Sequence, residues 1–153
     1  MARLEKLPED EAKHLLSIPC PEYHDTDLVG GPPLSERRLA IVSTAGLHLR
    51  SDRPFDVNAG DYRIIPGDAA ASDLVMTHIS TNFDRTGFQQ DLNVVFPLER
   101  LKELAQEGVI GSLAEYHYSF MGATDPGQMG DTARSLARIM KNDGVDALLL
   151  VPV

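Results

Sequence analysis

Residues 145–153 read VDALLLVPV. After Asp146 the run is wholly apolar, short, and without polar alternation. That is the pattern of a strand covered on both faces inside a parallel sheet. Parallel strands need crossover connections, usually helical, and the preceding residues supply one. The segment 133–143, ARSLARIMKND, repeats Ala133, Leu136, Ala137 and Met140 at three- and four-residue steps, a buried helical stripe. Asp131 or Thr132 can cap its start, and Asn142-Asp143-Gly144 can end it.

Working toward the N-terminus, residues 112–121, SLAEYHYSFM, alternate as a half-buried strand, with the His117 imidazole on its polar face. Residues 122–130 form a glycine-rich loop. Before them Pro97 opens a second helix, where its missing N–H is no loss. Leu98, Leu101, Leu104 and Ala105 line one face of that helix, and Gly108 terminates it. Three further strands are predicted at RLAIVST (38–44), YRIIP (62–66) and DLVMTHI (73–79). The order strand, strand, strand, helix, strand, helix, strand predicts an α/β fold: an open, mainly parallel sheet flanked by helices, flavodoxin- or Rossmann-like, and incomplete at its C-terminal side. Residues 37–153 would form this domain. Residues 1–36 would supply an N-terminal helix over 8–17, with Leu15, Leu16 and Ile18 as a short buried face, and a connecting loop.

Composition narrows the function. A chain of 153 residues fits one domain, and 42% hydrophobic residues suffice for a core. With 14 basic and 23 acidic residues the net charge is -9, which disfavours nucleic acid and anionic membranes as partners. No apolar run approaches the roughly 18 residues of a membrane span, and the charged N-terminus does not resemble a signal peptide. These features predict a cytoplasmic protein. The single cysteine, Cys20, lies between Pro19 and Pro21 and is either a reactive thiol or a small apolar filler.

The candidate site centres on residues 78–101, HISTNFDRTGFQQDLNVVFPLERL, a polar stretch between apolar flanks. His78 ends a predicted strand. Thr44-Ala45-Gly46 follows another, at the place where open α/β sheets bind ligands. A pocket near Thr44, His78 and Gly122 is the resulting prediction. No G-x-G-x-x-G loop is present, so a dinucleotide fingerprint is not supported. His24, with Asp25 and Asp27, offers metal-ligand types but lacks a second His or Cys at close spacing, and no metal site is predicted.

Four segments, RRLAIVSTAGLHL, the 78–101 stretch, EGVIGSLAEYHYSFMG and NDGVDALLLVPV, resemble the selenoprotein B family of the glycine, sarcosine, betaine and D-proline reductases. The D-proline reductase selenoprotein subunit is the nearest in look. The most specific piece is D-x-N-x-V-x-P-L-x-R-L, met by Asp91, Asn93, Val95, Pro97, Leu98, Arg100 and Leu101; a G-x-I-G piece is met by Gly108, Ile110 and Gly111.

The resemblance implies reductive cleavage of a carbon–nitrogen bond of an amino acid or amine derivative. A cysteine or selenocysteine is the nucleophile, and thiols supply the electrons. In the family that nucleophile follows a final strand like VDALLLVPV, and Cys20 does not match it. The expectation is therefore a fragment or processed piece, a chain whose partner carries the Cys, selenocysteine or pyruvoyl group, or a non-catalytic relative acting as a small-molecule-binding or scaffold subunit. No cofactor is expected on this chain itself, and a homo-oligomer or a complex with a second chain is. For the implied chemistry, His78 is the candidate proton donor to the departing amine. Asp84 or Asp91 would orient it or hold the substrate ammonium, and Arg85 would grip a carboxylate. Asn93 is a further substrate-binding candidate, although Asp91 and Asn93 also suit ordinary turn and helix-entry chemistry.

Overall fold

The computed structural model describes residues 4–18, 29–80 and 85–153. Helix α1 (Glu9–Ser17) begins with three acidic residues, the charge order that favours a helix N-terminus. Strand β1 (Arg38–Ser43) is the central strand of the sheet. It is followed by β2 (Leu47–Leu49), β3 (Tyr62–Pro66) and β4 (Leu74–Met76). Helices α2 (Thr86–Gln90) and α3 (Leu98–Gln106), strands β5 (Ser112–Leu113) and β6 (Tyr116–Phe120), helix α4 (Gly130–Asn142) and strand β7 (Ala147–Val151) complete the order.

The fold is α/β, with a mixed but mostly parallel sheet. On one side of β1 lies β7, parallel, with Leu39 to Ser43 in register with Ala147 to Val151. On the other side lie β5, opposite Arg38 and Leu39, and then β6, opposite Val42 and Ser43, both parallel. The antiparallel β3 pairs with β6 and forms the far edge. Strands β2 and β4 form a separate antiparallel pair.

Alternation along β1 builds two cores. Leu39 and Ile41 join Ile65, Phe96, Leu98 and Leu101 on the α3 face. Ala40 joins Tyr118, Phe120, Leu136 and Met140 on the α4 face.

Several expectations change. The 112–121 segment is two strands, because the chain breaks its pairing at Ala114 and Glu115. The Glu115 carbonyl turns away to accept the Gly67 N–H at 2.7 Å. The Ile41 N–H on β1 then finds its acceptor in His117 Nδ1, at 3.0 Å. His117 is therefore fully buried, edge-on to Phe96, and not on a polar face. Its side chain closes a gap in the ladder that a buried N–H could not tolerate.

Strand β7 is not covered on both faces. Ala147, Leu149 and Val151 pack on the α3-side core, whereas Leu148 and Leu150 are exposed, because among the described residues β7 stands at the edge of the sheet. In α4 only Leu136 and Met140 are buried; Ala133 and Ala137 are exposed, and no side chain of Asp131 or Thr132 caps the helix. Helix α1 buries none of its residues, and Leu16 and Ile18 are exposed. Among the described residues no helix is long and apolar enough to cross a membrane.

Candidate active site

Four of the sequence candidates meet at the carboxyl ends of the parallel strands. Thr44 directly follows β1, and Gly122 lies two residues past the end of β6. Gly46 lies two residues beyond Thr44 at φ +65°, a conformation that favours glycine. Close approach demands glycine there as well, since a Cβ would stand 3.0 Å from the His78 main-chain nitrogen. His78 comes in from the segment after β4, which is pinned by Thr77 N–H donating to the Gly46 carbonyl at 3.0 Å.

Main-chain bonds tie these pieces together. The Thr44 N–H donates to the Val151 carbonyl at 3.0 Å, and the Gly122 N–H donates to the Thr44 carbonyl at 2.8 Å. The turn is also held from within. The buried Ser43 hydroxyl donates to the Val95 carbonyl at 2.9 Å and accepts from the Ala45 N–H at 3.2 Å.

The point on which everything converges is Val153, a residue the sequence reading did not single out. Its N–H donates to Thr44 Oγ1 at 2.8 Å, and the same hydroxyl donates back to the Val153 carbonyl at 3.2 Å. A Cβ added to Gly122 would stand 2.5 Å from the Val153 oxygen, 2.8 Å from the Thr44 oxygen and 3.0 Å from His78 Nε2. Gly122 is thus the position that lets imidazole, hydroxyl and main chain close on one another. The only sequence signal for Val153 was its place just past a buried-type strand.

The His78 ring is buried, and its Nδ1 accepts the Ser80 N–H at 3.2 Å. With Nδ1 as acceptor, the neutral ring carries its proton on Nε2, the atom that lies beside Gly122. Burial lowers its pKa below 6.5; the Val153 backbone acts in the opposite sense, and the Arg85 charge adds to the lowering. Arg85 Nη2 donates to the carbonyls of His78 and Ser80, so this guanidinium secures the loop that carries the imidazole.

Asp91 and Asn93 lie elsewhere. The Asp91 carboxylate accepts from Asn93 N–H at 2.9 Å and Asn93 Nδ2 at 2.8 Å. Those bonds hold its pKa below the ordinary carboxylate value. The pair lines a separate cavity of about 230 Å³ with Leu74, Gln90 and Glu99. Much of the D-x-N-x-V-x-P-L-x-R-L pattern is therefore architecture. Asp91 caps a 3-10 turn, Val95 is buried and receives Ser43, Pro97 precedes α3, and Leu98 and Leu101 are core. Asp84, Cys20, His24, Asp25 and Asp27 lie outside the described residues. His48 is buried on β2 with Nδ1 against the Leu49 carbonyl at 2.6 Å. Among the described residues no group of three or more His, Cys, Asp or Glu is gathered as metal ligands.

Residues 33–153 match the family described as glycine/sarcosine/betaine reductase selenoprotein B. The chain belongs to this family. It is 36% identical over 121 residues to D-proline reductase subunit gamma of Acetoanaerobium sticklandii, an alignment covering 76% of this chain and 49% of that protein. It is 34% identical over 122 residues to sarcosine reductase complex component B subunit beta of Peptoclostridium acidaminophilum, covering 76% of this chain and 28% of the relative. The betaine reductase component B subunit beta of the same organism is 28% identical, covering 96% of this chain and 35% of the relative. The chain thus spans half or less of the length of these selenoprotein B relatives. No solved structure matches.

Proposed function

We propose that this chain forms the substrate-holding and proton-donating part of a reductase that cleaves a carbon–nitrogen bond in a small amino acid or amine derivative. The observation that carries the reading is the convergence of His78, Thr44 and Gly122 at the carboxyl ends of β1, β6 and β7, where α/β sheets place their ligands. The names of the relatives, which are D-proline, sarcosine, betaine and glycine reductase subunits, support the reaction class.

In this reading the nucleophile is a cysteine or selenocysteine outside residues 1–153, in a continuing or partner polypeptide. The sulfur or selenium forms a bond to the carbon as that carbon's bond to nitrogen breaks. His78, protonated, gives its proton to the departing amine. A second thiol then attacks the sulfur or selenium. The carbon keeps the electron pair and takes a proton, and the two chalcogens are left oxidised as a disulfide or selenenylsulfide. Thr44 and Gly122 position the reacting segment, and Arg85 positions His78. A pKa below 6.5 makes the imidazolium a ready acid.

The test is dithiol-dependent carbon–nitrogen cleavage by the natively purified assembly, read as amine or ammonia release from sarcosine, betaine and glycine and as ring opening to a linear amino acid from D-proline. Cleavage of one of them, reduced at least 10-fold by His78→Gln with the assembly intact, supports the reading. Unchanged turnover in that variant removes His78 from the chemistry.

A further inference from the structure

We infer that the outer edge of β7, with the apolar side it shares with α4, seats an added β-strand from a polypeptide equivalent to the part of D-proline reductase subunit gamma that this chain does not span. Strand β7 pairs with β1 alone among the described residues. The Val151 carbonyl faces β1, where it accepts from Thr44. Strand alternation then turns the N–H and C=O groups of Leu148 and Leu150 outward, two donors and two acceptors in a row.

The same two residues expose their side chains, Leu148 at 46% and Leu150 at 66%. Ile139 on α4 is 47% exposed. A groove of about 470 Å³ runs between the helix and the strand, lined by Val29, Met140, Val145 and Leu148. The strand carries no lysine, no internal proline and no other charge. Solitary edge strands are ordinarily protected by such features. The far edge of the sheet differs: β3 carries Arg63 as its second residue and ends on Pro66.

The occupant follows from length and direction. The matched relative is spanned to only 49%, so the unspanned remainder is about as long as the matched part. A strand and one covering helix need only some 20–30 residues of it. Added parallel to β7, as β1 is, such a strand ends beside Val153, Thr44 and His78 and contributes to that site. A second copy of β7 would pair antiparallel across a two-fold axis. Its site would then lie at the opposite end of the joint sheet.

The experiment mixes the full chain with the unmatched remainder of the A. sticklandii subunit, made as a separate polypeptide. Mass by light scattering, helix content by circular dichroism and hydrogen exchange over residues 145–153 are the readouts. The expected result is a 1:1 complex, a gain of helix on mixing, and at least 10-fold slower exchange at Leu148 and Leu150. Leu150→Glu abolishes the complex, while Ile64→Glu, an exposed substitution on β3, leaves it intact. Both variants are checked for unaltered thermal unfolding. No complex, or a complex without slowed exchange at those two amides, overturns the inference. So does slow exchange in the chain alone with a dimer mass, which would assign the edge to a second copy.

Discussion

His117 makes the stability of this fold depend on pH in a way that one substitution should erase. The ring is fully buried, and its Nδ1 takes the Ile41 N–H that the break between β5 and β6 leaves without a main-chain acceptor. Burial first, and the Lys102 charge second, lower its pKa from 6.5 to about 4. The folded pKa is the depressed one, so the ring is neutral when folded, whereas the unfolded chain takes up a proton near 6.5. Stability is therefore full above about pH 6.5 and is lost as pH falls toward 4. At about pH 5 the proton uptake favours the unfolded state by about 30-fold, or about 2 kcal/mol. His117→Leu removes the titration and the acceptor together. At about pH 7 it should lower stability by about 1–3 kcal/mol, the range for a stranded buried N–H. Between about pH 7 and 5 the wild type should lose about 2 kcal/mol more than the variant, a difference in which the carboxylates shared by both proteins cancel. Urea unfolding of both proteins at the two pH values measures it. Equal losses in the two proteins would refute the placement of a neutral, buried His117 in the ladder.

The site makes its own predictions. Gly122→Ala brings a Cβ to 2.5 Å from the Val153 oxygen, so the main chain must shift; turnover of the native assembly should fall at least 10-fold, while the His78 ring resonances move. Arg85→Gln should raise the His78 pKa, because the guanidinium charge lowers it; a proton titration by NMR reads the direction. The His78 pKa itself should lie below 6.5, and the acid-favoured limb of the cleavage reaction should follow that value in a pH–rate profile. Ser43→Ala removes the hydroxyl that joins β1 to Val95 and to the Ala45 N–H, and should lower stability by about 1–3 kcal/mol in a denaturant titration.

The α/β fold class and the strand-end positions of the candidates Thr44, Gly46 and His78 were legible because they rest on local signals. A β-branched strand at 38–43, the Pro97-led helix ending at Gly108 and the Gly46 turn each carry their cause in a few adjacent residues. What depended on neighbours far along the chain was not legible. An apolar run such as ALLLV reads the same at the centre of a sheet and at its edge, and among the described residues no further strand or helix covers Leu148 and Leu150. His117 looked like a polar-face residue by alternation. Its burial follows from a break in pairing, set by Glu115 and Gly67, that no periodicity reports. The strand read at 73–79 is shorter, Leu74–Met76, and its partner β2 and the small helix α2 were unread, being too brief to show a period. For the candidate site, His78, Thr44, Gly46 and Gly122 come together. Asp91 and Asn93, chosen for their chemistry, are engaged with each other at the entry to α3.

The proposed function has this chain work in a carbon–nitrogen-cleaving reductase through the site at the ends of β1, β6 and β7. The most direct test is to purify the native assembly that contains the chain, identify every polypeptide in it by intact mass, and follow carbon–nitrogen cleavage with a dithiol present, as amine release or, for D-proline, ring opening. The assembly should contain a cysteine- or selenocysteine-bearing polypeptide and show dithiol-dependent cleavage that falls with His78→Gln. An assembly that cleaves none of the four substrates, and that contains no such nucleophile, would contradict it.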